Sequence, residues 1–173
     1  MENAEALEII ENMREKLTKV RRGRVAGYQK KNNLKYREAI LRLLLNRVVG
    51  KYSLLGFSLK IENCDELTFD LSKSSQFCVI LKKIVLSYEE NNTTLHFVPE
   101  NDLNDKLMRY KITLHSEAID EHEKCIAHLF WMVDNHTSGY WALTYKDRMI
   151  LSEQLTDEYV ELLLGDMSQA TGQ

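Results

Sequence analysis

The residues best suited to chemistry in this sequence gather in two places. His115, Glu117, Asp120, Glu121, His122, Cys125 and His128 fall within one short segment. On a helix, His122, Cys125 and His128 recur at a spacing of three along one face, the donor set a tetrahedral zinc site draws on. Neither HExxH nor CxxC accompanies them, so a structural His/Cys element is favoured over a metal centre. The second place runs from Lys16 to Arg37. It holds nine cations (Lys16, Lys19, Arg21, Arg22, Arg24, Lys30, Lys31, Lys35 and Arg37) and no acid. Such density can neutralise phosphates and release counterions, with Tyr28 and Tyr36 available to stack on bases. It can equally be a solvated helix end or the contact for an acidic protein, because charge measures attraction and not identity. No zinc-finger spacing or RRM-type aromatic signature specifies a reader of nucleic acid.

Nucleophilic catalysis has little footing. There is no G-x-S-x-G elbow, no Walker A loop and no GxGxxG. Asp134, His136 and Thr137-Ser138-Gly139 contain suitable residue types but read as a polar turn. No catalytic residue, metal or cofactor is therefore expected. Trp131, Tyr140, Trp141 and Tyr145 crowd one region. They read as core, since aromatics dominate buried area, and also as a partner surface, since Tyr and Trp lead binding hot spots.

The elements that must position these residues follow from the hydrophobic pattern. The chain has 173 residues, 44% hydrophobic and 28% charged, with one proline and seven glycines. That is a foldable globular composition, and most of it can enter regular structure. Net charge of −3 hides a polarity: residues 1–51 carry 13 Lys/Arg against 6 Asp/Glu, and the remainder is acidic. Three cysteines at wide spacing argue against a disulfide framework. No apolar run approaches the roughly 18 residues that span a bilayer. The start, MENAEALEII, has no signal-like apolar region, so a cytoplasmic or nuclear location is expected.

Ala6, Ile10, Met13, Leu17 and Val20 alternate at spacings of four and three, a heptad seam on a first helix over residues 4–22. Two heptads are too short to stand alone, so the seam needs a partner. Residues 21–33, with two glycines and an Asn pair, read as a hinge. A second helix is expected over 34–49, with Gly50 as its cap. From residue 52 the period moves towards two. Strands are expected at 55–61, 67–71, 77–88, 94–98 and 106–115, with a hairpin turn at Glu89-Glu90-Asn91-Asn92. Ser116 then opens an internal helix. CIAHLFWMV also fits a buried strand, but the acids upstream resemble a helix start and favour helix. A hairpin over 139–151 and a last helix from Asp157 to about Leu164, stopped by Gly165, complete the chain.

The run from Cys125 to Leu164 joins an apolar helix, Gly139-Tyr-Trp-Ala-Leu, Lys146-Asp147, Arg-Met-Ile-Leu-Ser and a Leu155-Thr-Asp-Glu cap into Tyr-Val-Glu-Leu-Leu-Leu. It resembles the closing hairpin and helix of the type III secretion chaperone and YbjN-like fold. The element order from Leu34 onward, α-β-β-β-α-β-β-α, is similar as well. The resemblance implies a dimeric, non-enzymatic protein that binds an extended partner segment.

The expectation is thus an α+β protein: N-terminal helices, then an antiparallel sheet with one internal and one C-terminal helix. Residues 1–33 form a basic helical segment, 34–166 the domain and 167–173 a disordered tail. Its expected role is a homodimeric protein-interaction module, chaperone-like or adaptor. Contacts would come from Ile10, Met13, Leu17, Val20, Trp131, Tyr140 and Trp141. The alternative is a nucleic-acid-binding protein using the nine cations. No membrane association is expected.

Overall fold

The computed structural model describes residues 2–64, 67–72, 75–90, 92–101, 108–117, 123–133, 139–145 and 149–170. Side chains are described for these except 2–3, 17–32, 68–72, 75–77, 79, 101 and 108. The chain is α+β and divides into two compact units, Met1–Lys35 and Tyr36–Gln173.

A single helix, α1, runs from Glu2 to Lys51. The expected hinge over 21–33 and the two separate helices are thereby corrected. Gly23 and Gly27 cost the helix about 1 kcal/mol each, and no proline removes a rung from its hydrogen-bond ladder. Gly50 lies within α1 and does not end it. A 3-10 turn follows at Ser53–Leu55, closed by Gly56 in the left-handed region at φ 99°.

The second unit is built on a sheet. Its strands are β1 (Phe57–Asn63), β4 (Lys82–Tyr88), β5 (Thr93–Asn101), β6 (Met108–Ser116), β7 (Glu123–Met132), β8 (Tyr140–Tyr145) and β9 (Ile150–Gln154). They pair antiparallel in the order β1-β4-β5-β6-β7-β8-β9. Between β1 and β4 the chain makes a separate hairpin of β2 (Leu67–Ser72) and β3 (Ser75–Val79). The run 77–88, expected as one strand, is therefore two, parted at Ile80-Leu81. β4 and β5 are joined as a hairpin where expected, with Glu89 and Glu90 at φ 51° and 56° and Asn92 N–H donating to the Glu89 carbonyl at 3.2 Å; Asn91 lies outside the described residues.

Register aligns the apolar positions in rows. Leu59, Leu86, Leu95 and Leu114 form one row, and Ile61, Ile84, Phe97, Ile112 and Ala127 the next. Tyr110, Leu129 and Leu143 form a third. The helices cover this face. Leu41, Leu45, Val48 and Val49 of α1 are buried, as are Val160, Leu163, Leu164 and Met167 of α2 (Asp157–Ala170). Trp141 Nε1 donates to the Arg37 carbonyl at 2.9 Å, and Ser116 Oγ donates to the Ala170 carbonyl at 2.9 Å. Arg47 and Lys51 reach Asp157 at the start of α2, at 2.5 and 3.6 Å.

Two further corrections concern elements near the C-terminus. The internal helix expected from Ser116 is, over its apolar part, strand β7. The extra residue Ile126 at the β6–β7 register shift leaves Ile126 and Ala127 buried side by side, so the alternation is broken. The last helix does not stop at Gly165. It continues to Ala170 with Met167 fully buried, so residues 167–170 are not a disordered tail, and 171–173 lie outside the described residues.

Candidate functional site

Two surfaces hold the residues singled out by type and spacing. The first is the start of α1. Every described side chain from Ala4 to Lys16 is exposed, including the large apolar ones. Ile10 is 46% exposed and Met13 59%, while Leu7 and Ile9, beside the seam, reach 62% and 60%. The side chains of Leu17 and Val20 lie outside the described residues. The same holds for Lys19, Arg21, Arg22, Arg24, Lys30 and Lys31. Lys16 and Lys35 are exposed.

Arg37 behaves differently from the other cations. Its guanidinium lies 5.2 Å from the centre of the Trp131 ring, a cation–π geometry, and burial lowers its pKa. Trp131 meets Trp141 edge to face at 5.3 Å, and Trp141 meets Tyr110 likewise at 5.1 Å. Trp141 is 3% exposed, so it belongs to the core and presents nothing to a partner. Trp131 and Tyr140 are half-buried. Gly139 makes this packing feasible: it sits at φ 114°, and a Cβ there would meet the Trp131 ring at 2.6 Å.

The second surface is the sheet face away from the helices. The triplet Thr-Leu-His occurs twice, at 94–96 on β5 and 113–115 on β6. Register sets Leu95 opposite Leu114, so Thr94 faces His115 and His96 faces Thr113. The leucines point to the core and the polar pairs to the open side. His96 shares a hydrogen bond with Thr94 and His115 with Thr113, each at 3.0 Å. The two imidazoles lie 3.9 Å apart between centroids, tilted by 31°. Burial, the neighbouring His115 and Lys83 push His96 down to about 4. Burial lowers His115 too, with Lys83 adding and Glu123 opposing. Both rings are therefore neutral at physiological pH.

Around them is an open groove of about 360 Å³, lined by Asn63, Cys64, Lys83, His96, Val98, Thr113, His115 and Glu123. Glu62 bridges Lys60 at 3.0 Å and Lys83 at 3.2 Å, and those contacts lower its pKa. Cys125 and His128 lie on the same face, Sγ to Nε2 3.9 Å apart. Their spacing of three would put them on opposite faces of a regular strand. The extra residue Ile126, where the β6–β7 register shifts, restores the match. The helical arrangement is thus corrected: Cys125 and His128 stand on strand β7, and His122 lies outside the described residues. Among the described residues no group of three or more His, Cys, Asp or Glu is placed to hold a metal ion. Sequence reasoning marked His115 and missed His96; the repeated Thr-Leu-His was the signal that pairs them.

Among the described residues no helix is long and apolar enough to cross a membrane. No family model matches the chain, and no curated protein or solved structure is similar to it at a significant level.

Proposed function

We propose that this chain is a protein-interaction module, non-enzymatic and homodimeric, which uses the first part of α1 to pair with another helix. The observation that carries this reading is the exposed apolar stripe. Leu7, Ile9, Ile10 and Met13 stand uncovered on a helix whose residues 4–16 are all exposed. An isolated helix of this kind is marginal in water, and its stability comes from packing an apolar face. The half-buried pair Trp131 and Tyr140 offers a further contact on the body for a partner protein. Light scattering of the full chain at micromolar concentration tests the reading. A dimer is expected, and Ile10→Glu combined with Met13→Glu should convert it to monomer. A native chain that stays monomeric sinks the homodimer.

A second reading is contact with nucleic acid. What favours it is the unbroken α1, which carries the cations from Lys16 to Lys35 on one continuous rod. Arg37 drops out of that set because Trp131 occupies its guanidinium. Binding to generic DNA and RNA over a salt series tests it. A steep fall in affinity with salt would support the contact, and no binding at low salt would end it.

A further inference from the structure

We propose that the N-terminal helix pairs with its counterpart from a second copy in antiparallel orientation, Ala6 opposite Leu17 and Ile10 opposite Met13 of that copy. This rests on the self-pairing just proposed and adds its direction and register.

The seam Ala6, Ile10, Met13, Leu17, Val20 is apolar for a pairing of either direction. Charge chooses between them. Residues 2–11 contain four acids and no cation, whereas residues 12–21 contain four cations and one acid. A parallel, in-register pair lays acids on acids and cations on cations. It also sets Lys16 beside Arg21 of the other helix and continues the seam into Arg24 against Arg24 and Lys31 against Lys31. Like charges at such positions oppose association. The antiparallel pair lays the acidic half of each helix along the basic half of the other.

The side chains flanking the seam agree with this register. Leu7 and Ile9 are as exposed as the seam residues themselves, at 62% and 60%. In the antiparallel register Leu7 falls beside Arg14 of the second copy, and Ile9 beside Lys16. Arg and Lys cover apolar neighbours with their methylene stems while the charged heads stay in water. No like-charge pair flanks the seam in this register. Sliding the helices apart by one heptad would bring Arg14 against Arg14 and Lys16 against Lys16.

Cross-linking tests the direction. In the full chain with Cys64, Cys78 and Cys125 replaced by serine, Ala6→Cys and Leu17→Cys proteins are prepared separately, then mixed and mildly oxidised. The antiparallel pair yields a disulfide dimer containing one chain of each kind, at least several-fold more than either protein alone. Efficient linking of each protein to itself means a parallel pair and overturns the inference. No link in any sample, with light scattering still showing a dimer, overturns it as well and leaves the interaction reading standing. A monomer by scattering, before and after mixing, overturns both. Salt supplies an independent sign. Between about 50 mM and about 500 mM NaCl the antiparallel dimer should dissociate several-fold more readily as its complementary charges are screened. A parallel dimer would tighten, and that result would overturn the proposal even if every cysteine variant misfolded.

Discussion

At the level of single residues, His96 and Gly139 carry the most specific consequences. His96 is held neutral by burial and by His115 and Lys83, with its pKa down at about 4. In the unfolded chain a histidine titrates near 6.5. The unfolded state therefore binds more protons between these values. The stability associated with the neutral ring is present above about pH 6.5 and is lost as pH falls towards 4. His115 adds in the same direction. Urea midpoints measured from pH 7.5 down to 4.5 should fall, and His96→Gln should flatten the part of that slope owed to the pair. An unchanged slope would mean the imidazoles do not feel this environment. Gly139 makes a harder demand. Its left-handed backbone and the Trp131 ring 2.6 Å from any Cβ leave no room for a side chain. Gly139→Ala should cost about 2 kcal/mol or more in denaturant unfolding, from strain and displaced packing together. A loss within error would place Trp131 elsewhere.

At the level of elements, α2 shows how far a sequence boundary can lie from the physical one. Gly165 reads as a stop, yet Val160, Leu163, Leu164 and Met167 share one buried stripe that continues past it. Burying Met167 outweighs a mid-helix glycine, which costs about 1 kcal/mol. Met167→Ala should therefore destabilise the body by about 2–5 kcal/mol, the range for a deleted core side chain, and calorimetry or denaturant unfolding reads it directly. A tail residue would show almost nothing. Strand β7 makes the same point for a strand. Its sequence CIAHLFWM lacks alternation because the bulge at Ile126 shifts its phase midway. Local pattern alone could not separate it from a buried helix segment. Strands β5 and β6, which alternate, stand where period-two reading put them, and β8 stands where the hairpin over 139–151 was expected.

At the level of the whole molecule, the chain divides into two compact units, Met1–Lys35 and Tyr36–Gln173. The unit Tyr36–Gln173 has its own core across a seven-stranded sheet. Both tryptophans lie in it. A chain lacking residues 1–33 should thus unfold cooperatively by tryptophan fluorescence, with a urea midpoint close to that of the full chain, and should be monomeric by light scattering if the proposed pairing runs through α1. A truncated chain without a cooperative transition would show that the body depends on the helix. The α+β class, the hairpin at 89–92, the apolar seam and the charge polarity were all readable in the chain itself. Periodicity and charge are properties of near neighbours, and near neighbours are written in order. The pairing of His96 with His115, the burial of Trp141, the reach of α1 through its glycines and the conversion of an apparent helix into β7 were not. Each depends on which distant segment lies alongside, through strand register, a bulge or a packed ring, and the folded chain alone supplies that neighbour.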